Sequence, residues 1–232
     1  SSDLLVRQAA CAGGGEVVPV DSEHSAVLQC VTGRERGIGR LILTCSGGPF
    51  RDWPADRVRE ATVDQALRHP TWRMGPKVTI DSATLFNKGM EAIEARWLFD
   101  VPLDRIDILQ HRESVVHSMV TFTDGSVKAQ LGEPDMRLPI QCALTYPERG
   151  TTPAIAPLNL AARGALHFGE VDEARYPALR VTLEAGRRDD TSAAALSGAV
   201  RYAMGFGISQ SGRVLRDLVH LGFNQDDRGR PV

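Results

Sequence analysis

Short runs of apolar residues, each followed by a polar cluster, occupy the first part of the chain. Three runs bounded by turn-forming residues predict buried strands at residues 16–20, 40–45 and 77–80. The polar clusters that follow them read DSEH, SGGP and DS, and the third leads directly into a predicted helix over 84–99. This order is typical of an α/β fold, in which ligands bind beyond the carboxyl ends of the strands.

The middle of the chain predicts a sheet of mixed direction. After the helix over 84–99, which carries an apolar stripe, runs at 105–110, 116–123 and 126–131 alternate apolar and polar residues as half-buried strands do. Asp124-Gly125 separates the last two runs, and this dipeptide tolerates the positive φ angles of a tight hairpin turn. We therefore expect a hairpin here, within a sheet whose two faces differ in polarity.

The later part of the chain predicts helices. A stretch rich in Thr, Pro, Gly and Ala predicts a linker at 151–160. Beyond it, helices are expected at 172–185, 191–203 and 212–221. The predicted organisation is an α/β domain with α+β character and a mixed sheet over 1–150, the linker, and a small all-α C-terminal domain over 161–232 with a frayed tail.

The composition excludes several classes of function. The chain of 232 residues is 42 % hydrophobic and 24 % charged, and its 27 basic and 29 acidic residues leave a net charge of −2. This balance argues against a nucleic-acid or membrane-surface partner, and no apolar run is long enough to span a bilayer. The four cysteines include no CxxC pair, which argues against a zinc knuckle and favours reduced thiols in a cytoplasmic protein.

Three carboxylates are candidate ligands of a divalent cation. Asp21 and Glu23 stand two apart at the end of the first predicted strand, where alternate side chains point to the same side. Glu91, on the predicted helix, is the best third donor. Such hard oxygen donors suit Mg²⁺ or Mn²⁺, with substrate and water as further ligands. Taken singly, each acid is more typical of a solvated surface position, so that alternative stays open.

A second group of residues suits a phosphate. Ser46 precedes two glycines, which allow an anion to approach backbone N–H groups. Ser82, Asn87 and Lys88 lie around the start of the long helix, where unpaired amides and the helix dipole favour negative charge. Each residue alone is more typical of capping or of the surface. Only their combination predicts a phosphate site.

The segment HPTWRMG at 69–75 is loop-like yet carries large apolar side chains. One interpretation is a mobile lid, in which Trp72 closes over a ligand and expels water. The alternative is a loop that Trp72 pins to the core.

Structural roles are expected for four histidines that lack metal-binding spacing, namely His24, His111, His117 and His167.

Several of these segments resemble a single family in the same order along the chain. They read PVDSEH at 19–24, LTCSGGPFR at 43–51, HPTWRMG at 69–75, VTIDSATLFNKGMEAIEARWLF at 78–99 and HSMVTFTDGSVKAQLGEPDMRLPI at 117–140. They are similar to the 1-deoxy-D-xylulose 5-phosphate reductoisomerases, and the similarity covers residues 3–146 closely. The resemblance implies an oxidoreductase and isomerase that uses NADPH and Mg²⁺, Mn²⁺ or Co²⁺. The product of this reaction in the family is 2-C-methyl-D-erythritol 4-phosphate, in the non-mevalonate route to isoprenoids.

The resemblance also implies roles for individual residues. It assigns the metal to Asp21, Glu23 and Glu91, and the phosphate to Ser46, Ser82, Asn87 and Lys88. It places Ser22 and Asn87 at substrate hydroxyls, His69 beside the phosphate, and Trp72 with Met74 on the lid. The three acids, His69 and Trp72 are thus the expected catalytic group. Family members pair as homodimers, and the hairpin at Asp124-Gly125 is a candidate contact.

The sequence departs from the family pattern at several places. It lacks the dinucleotide-binding turn GxTGSxG and the Asn-Lys-Glu segment expected before Asp21. Residues 111–114 read HRES in place of HPQS, and residues 197–201 read SGAVR in place of NAANE. We therefore expect the NADPH-binding domain to be absent from this chain.

Three hypotheses account for this combination. The first is the catalytic portion of the reductoisomerase, which binds metal and substrate but oxidises little NADPH by itself. The second is a non-catalytic metal- and sugar-phosphate-binding or dimerisation protein descended from that enzyme. The third, a metal-dependent isomerase that works without reduction, ranks last because the upstream lysine contact is missing.

Overall fold

A mixed five-stranded sheet forms the centre of the protein. The computed structural model describes residues 6, 9–33, 35–151 and 155–187. The strands are β1 (Ile38–Cys45), β2 (Ile106–His111), β3 (Val116–Phe122), β4 (Val127–Leu131) and β5 (Phe168–Glu170). Their order is β4-β3-β1-β2-β5, with β1 and β2 parallel and the other neighbours antiparallel. The expected α/β fold with a mixed sheet is confirmed.

Helices connect the strands and pack on the sheet. They are α1 (Ser22–Val31), α2 (Ala55–Val58), α3 (Val63–Ala66), α4 (Pro76–Ala83), α5 (Phe86–Phe99), α6 (Arg137–Thr145), α7 (Leu160–Arg163) and α8 (Pro177–Arg187). Helix α1 contacts β3 and β4, whereas α5 lies against β1, β2 and α8. Within the described ranges, no helix combines the length and apolarity needed to cross a bilayer.

The strands predicted at 40–45, 105–110, 116–123 and 126–131 are confirmed as β1 to β4. β1 is central because it buries apolar side chains among its neighbours: Leu41 and Leu43 are 0 % exposed. Leu41 pairs with Ile106 of β2 on one side and with Val120 of β3 on the other. The predicted hairpin is also present, and Gly125 has the positive φ, 84°, that its turn requires.

The strand predicted at 16–20 is wrong. These residues follow an irregular, partly exposed path into α1, which the sequence did not predict. Asp21 is the N-cap of this helix, and its Oδ1 accepts the N–H groups of Glu23 and His24 at 3.0 and 3.2 Å. The apolar run was misleading because Pro19 has no N–H to give to a strand ladder and a capping aspartate follows at once.

The strand predicted at 77–80 is wrong too, because these residues belong to α4. Its β-branched residues Val78, Thr79 and Ile80 favour strands. Gly75 nevertheless stands at the N-cap and Pro76 in the first turn, where the fixed φ of proline suits a helix. The hydroxyl of Thr79 donates to the carbonyl of Gly75 at 2.9 Å, so this side chain supports the helix start.

The helix predicted over 84–99 is confirmed as α5, two residues shorter at its start. Leu85, which precedes it, has a φ of 55° in the left-handed region, where leucine is uncommon. The side chain of Leu85 is 2 % exposed, so its burial stabilises the sharp junction between α4 and α5. This junction brings the end of α4 beside the first turn of α5.

Residues 168–187 return to the sheet and to the core. β5 pairs with β2, and Tyr176, Leu179 and Leu183 belong to the same hydrophobic cluster as Leu41. The helix expected at 172–185 is confirmed as α8, which begins at Pro177. The helices expected at 191–203 and 212–221 lie outside the described residues. The boundaries of a separate helical domain and of its linker stay predictions.

Candidate active site

The carboxyl ends of β1 and β2 and the start of β3 meet at one edge of the sheet, beside the first turns of α1 and α5. A cavity of about 280 Å³ opens there. All of the site residues expected from the sequence line it: Asp21, Ser22, Glu23, Ser46, His69, Trp72, Met74, Ser82, Asn87, Lys88 and Glu91. The structure therefore brings together segments that are up to 70 positions apart, the separation of Asp21 from Glu91.

The three candidate metal ligands converge in this cavity. One carboxylate oxygen from each of Asp21, Glu23 and Glu91 lies within 4.8 Å of the other two. The geometry that achieves this differs from the expected strand end, since Asp21 caps α1, Glu23 lies in its first turn and Glu91 projects from α5. Three hard oxygen donors at this separation fit a divalent cation such as Mg²⁺ or Mn²⁺.

Lys88 lies between two of these carboxylates. Its Nζ is 2.9 Å from Oε1 of Glu23 and 2.5 Å from Oε2 of Glu91, and its side chain is 6 % exposed. Burial alone would lower the pKa of Lys88, but the charges of Glu23 and Glu91 outweigh burial and raise that pKa above its ordinary range. The Lys88 ammonium thus compensates the negative charge of the carboxylates that a divalent metal ion would otherwise compensate.

The pKa values of the acids show how crowded the cluster is. Burial and the neighbouring Glu23 carboxylate raise the pKa of Glu91 well above its ordinary value, against the effect of Lys88. Burial would also raise the pKa of Asp21, but the contact with His24 holds it well below its usual range. The raised pKa of Glu91 reflects repulsion among the carboxylates, and a divalent cation bound between them would reduce this repulsion.

Two polar side chains are hydrogen-bonded to the carboxylates in the cavity. The hydroxyl of Ser22 donates to Oε2 of Glu23 at 2.6 Å. Nδ2 of Asn87 donates to Oε1 of Glu91, one turn further along α5. Both residues line the cavity beside the acids, and their contacts to substrate hydroxyls stay a prediction.

A tight glycine loop forms the other side of the cavity. Gly47 and Gly48 follow β1 with positive φ angles of 80° and 65°. A Cβ on Gly48 would lie 2.8 Å from the carbonyl oxygen of Ser82, so only glycine lets this loop lie directly against the end of α4. This close approach brings the segments that carry Ser46 and Ser82 together at one corner of the cavity.

His69 connects this corner to the loop over 69–75. Its Nδ1 accepts the N–H groups of Thr71 and Trp72 at 3.1 and 2.9 Å, and its Nε2 lies 3.1 Å from Oγ of Ser46. Burial, assisted by the charge of Arg51, lowers the pKa of His69 to about 4. The ring is therefore neutral near pH 7. Its backbone contacts fix the conformation at the start of the segment that carries Trp72 and Met74.

Some residues that line the cavity from β2, from β3 and from the turn between them were not predicted from the sequence. His111, Ser114 and His117 line it, although only structural roles were expected for the two histidines. His111 also has a structural role, since its Nδ1 lies 2.9 Å from the carbonyl oxygen of His167. His111 ends β2 and His117 lies near the start of β3, so their position at strand ends was the available signal.

Three clustered carboxylates beside a glycine loop and a helix start place the chain in the class of α/β domains that carry a candidate divalent-metal site. Comparison with known proteins identifies the family within this class. Residues 17–99 match the 1-deoxy-D-xylulose 5-phosphate reductoisomerase C-terminal domain, and residues 131–205 match the DXP reductoisomerase C-terminal domain. The chain belongs to the 1-deoxy-D-xylulose 5-phosphate reductoisomerase family.

Individual relatives agree with this assignment. The chain is 52 % identical over 200 residues to the 1-deoxy-D-xylulose 5-phosphate reductoisomerase of Heliobacterium modesticaldum, covering 86 % of this chain and 51 % of the relative. It is 52 % identical over 201 residues to that of Exiguobacterium sibiricum, covering 86 % and 52 %. The chain thus spans about half the length of the curated relatives it matches.

Solved structures show the same fold. A crystal structure of DOX-P reductoisomerase in complex with NADPH, fosmidomycin and magnesium matches with a TM-score of 0.74 and 42 % identity, over 80 % of this chain and 48 % of that one. The reductoisomerase of Zymomonas mobilis in complex with NADPH matches with a TM-score of 0.72 and 42 % identity, over 78 % and 47 %.

Proposed function

We propose that the chain forms the metal- and sugar-phosphate-binding catalytic part of a reductoisomerase. The whole enzyme would convert 1-deoxy-D-xylulose 5-phosphate into 2-C-methyl-D-erythritol 4-phosphate with NADPH. One observation carries the proposal: the carboxylate oxygens of Asp21, Glu23 and Glu91 lie within 4.8 Å of one another, in the same cavity as Ser46 and Ser82. The activity named for the relatives supports it.

Asp21, Glu23 and Glu91 are the proposed ligands of Mg²⁺, Mn²⁺ or Co²⁺. These three carboxylates would hold the cation, which would supply Lewis-acid chemistry toward the carbonyl and hydroxyl oxygens of the substrate. The chain's own residues orient those oxygens, with Ser22 and Asn87 close to the acids. Lys88 is bonded to Glu23 and Glu91, and its ammonium would be available to the phosphate once those carboxylates held a metal.

The phosphate is proposed to lie at the corner formed by Ser46, Ser82, Asn87 and Lys88, with His69 beside it. Trp72 and Met74 lie on the segment that would close over the substrate and exclude water. Exclusion of water strengthens each charge interaction in the cavity, because it lowers the local dielectric constant. The separation of an acidic side from a phosphate side would fix the direction in which a sugar phosphate binds.

Reduction of the rearranged aldehyde needs a hydride from NADPH, which the two matching structures described above contain. We assign no residue of this chain to the nicotinamide cofactor. The homodimer and the cytoplasmic location are likewise proposals, and both rest on membership of the family.

Calorimetry with Mn²⁺ and the inhibitor fosmidomycin tests the proposal. The wild-type chain is expected to bind fosmidomycin only when Mn²⁺ is present, because the carboxylates and the metal together complete the acidic side of the cavity. Glu91→Gln removes one ligand charge and should abolish the Mn²⁺-dependent binding of fosmidomycin. Glu60→Gln, which changes an exposed acid outside the cavity, is the matched control. Fosmidomycin binding that ignores Mn²⁺ would contradict the assignment.

A second experiment separates the catalytic part from a non-catalytic relative of the enzyme. The chain is mixed with a separately produced dinucleotide-binding domain of a reductoisomerase, and NADPH oxidation is followed in the presence of substrate and Mn²⁺. Restored oxidation is expected for a catalytic part. Metal and inhibitor binding without any restored oxidation would favour the non-catalytic alternative.

A further inference from the structure

Tyr176 lies outside the cavity but is bonded to the loop that forms its phosphate side. Its hydroxyl donates to the carbonyl oxygen of Gly47 at 3.0 Å, across 129 positions of sequence. The residue is 3 % exposed, and burial raises the pKa of Tyr176 to about 12. The hydroxyl therefore keeps its proton at physiological pH and remains a donor to this carbonyl.

The carbonyl that Tyr176 holds belongs to the peptide unit between Gly47 and Gly48. In a trans peptide the C=O and N–H groups point in opposite directions, so fixing one fixes the other. The N–H of Gly48 donates to Oγ of Ser46 at 3.2 Å. Both glycines have positive φ angles and no side chain to restrict them, so the hydrogen bond from Tyr176 restricts a peptide unit whose own residues allow many orientations.

Ser46 receives a second hydrogen bond from the opposite side. Since Nδ1 of His69 accepts two backbone N–H groups, the neutral ring carries its proton on Nε2. Nε2 therefore donates to Oγ of Ser46 at 3.1 Å. With hydrogen bonds from Gly48 and His69 filling its two acceptor positions, the Ser46 hydroxyl directs its own proton elsewhere. Ser46 lines the cavity, so that proton is available to an acceptor such as a phosphate oxygen.

The residue before Tyr176 supports the same loop from its other end. Nη1 of Arg175 donates to the carbonyl oxygen of Arg51 at 2.9 Å. Nη1 of Arg51 in turn donates to the carbonyl oxygen of Ser46 at 3.2 Å. Two adjacent residues of the segment that leads into α8 thus hold the loop over 46–51 in place, without reaching the cavity themselves.

We propose that Tyr176 is a positioning residue for the phosphate group of the substrate, acting through the Gly47–Gly48 peptide unit on the hydroxyl of Ser46. The inference rests on the proposed function, because it takes Ser46 to be a phosphate ligand. It makes the segment over 175–176 a part of the phosphate site, although both residues lie behind it. Removal of the Tyr176 hydroxyl should then lower the affinity for phosphate-bearing ligands and leave the affinity for the metal unchanged.

The test compares two ligands on the Mn²⁺-loaded chain. Fosmidomycin carries both a metal-chelating hydroxamate and a phosphonate, whereas acetohydroxamate carries only the chelating group. Tyr176→Phe keeps the buried ring and removes the hydroxyl. We expect it to weaken fosmidomycin binding about 3- to 10-fold, the effect of one hydrogen bond. The affinities for Mn²⁺ and for acetohydroxamate should stay unchanged.

Two further variants keep the test sharp. Thr182→Val removes a buried hydroxyl of the following helix α8, one that donates to the carbonyl of Ala178 at 2.7 Å, and should leave the affinity for fosmidomycin unchanged. In a Ser46→Ala background, Tyr176→Phe should have no additional effect, because its target is gone. This comparison holds even where both variants lower the overall stability, provided that each still binds Mn²⁺.

The outcomes separate the two proposals. Unchanged fosmidomycin affinity in Tyr176→Phe, beside a wild-type chain that binds, would overturn the role of Tyr176 alone. Equal losses for fosmidomycin, acetohydroxamate and Mn²⁺ would also overturn it, since they indicate general destabilisation. A wild-type chain that binds neither Mn²⁺ nor fosmidomycin would overturn the proposed function and this inference with it.

Discussion

His24 joins Asp21 to Glu91 through opposite edges of its ring. Its Nε2 lies 2.9 Å from the backbone oxygen of Glu91, and its Nδ1 lies 3.3 Å from Oδ1 of Asp21. Burial alone would lower the pKa of His24, but Asp21 and Glu91 together outweigh burial and raise that pKa to about 10. Both ring nitrogens therefore carry protons and donate, so one imidazolium sets the distance between α1 and α5 where the acids converge.

Replacing His24 should weaken metal binding although the residue is not a ligand. His24→Gln cannot reach both partners with the same rigid geometry, and loss of such supporting contacts typically lowers metal affinity about 10- to 100-fold. Calorimetric titration of each variant with Mn²⁺ measures the change in metal affinity. His167→Gln, at an exposed histidine that does not line the cavity, is the control. Wild-type Mn²⁺ affinity in His24→Gln would show that the acids hold their positions unaided.

Adding one methyl group at Gly48 should be more costly than adding it at a glycine in open space. In Gly48→Ala the new Cβ would lie 2.8 Å from the carbonyl oxygen of Ser82, in addition to the strain of a φ of 65°. We expect the free energy of unfolding to fall by about 2 to 4 kcal/mol. Gly33→Ala has a φ of 75° but no atom within 4 Å of its Cβ, and should lose about 1 kcal/mol. Urea denaturation of both variants measures the difference, and equal losses would contradict the close contact.

The neutral state of His69 should make part of the stability depend on pH. The folded-state pKa of about 4 is below the ordinary value of 6.5. The unfolded chain therefore takes up the proton more readily, so the contribution of His69 is complete above pH 6.5 and is lost as the pH falls toward 4. Protonation would also place a hydrogen on Nδ1, which accepts the N–H groups of Thr71 and Trp72.

Denaturant titrations between pH 7 and 4, on wild type and on His69→Gln, check this dependence. The wild type should lose more stability on acidification than the variant, because glutamine has no charge to gain. Limited proteolysis of the loop over 69–75 gives a second readout and should accelerate at low pH in the wild type. Parallel stability profiles for the two proteins would contradict the lowered pKa of His69.

The cysteines should differ sharply in reactivity. Cys11 is exposed, whereas Cys30 and Cys45 are 3 % and 6 % exposed. Burial raises the pKa of the Cys45 thiol to about 11, which leaves almost no thiolate near pH 8. In a native alkylation experiment read by mass spectrometry, Cys11 should react first and Cys45 only after unfolding. Denaturation in urea, which should expose every thiol, is the control, and early labelling of Cys45 would contradict its burial.

The sheet was predictable where local pattern and tertiary packing agree. β1 is an apolar run that becomes the central strand, and the turn at Asp124-Gly125 needs only local chemistry. The strand expected at 77–80 failed because its β-branched residues are outweighed by Pro76 and Gly75, which start a helix there. At such positions the residues that begin an element decide its type, not those inside it.

The site was predictable as a set of residues but not as a network. Asp21, Glu23 and Glu91 were found because acids and their surrounding motif are visible in the sequence, although the expected strand geometry was wrong. The bridging role of His24 could not be predicted, because it depends on how α1 meets α5. The bond from Tyr176 to Gly47 was equally hidden, since it joins positions separated by 129 residues.

The return of β5 and α8 to the core has a consequence for how the chain can be shortened. β5 covers the outer edge of β2, and Leu179 and Leu183 cover the apolar side of α5. A chain cut before residue 168 would leave an unpaired strand edge next to exposed apolar side chains, the two features that promote edge-to-edge aggregation. Such a fragment should therefore precipitate even though every metal-binding candidate is present in it.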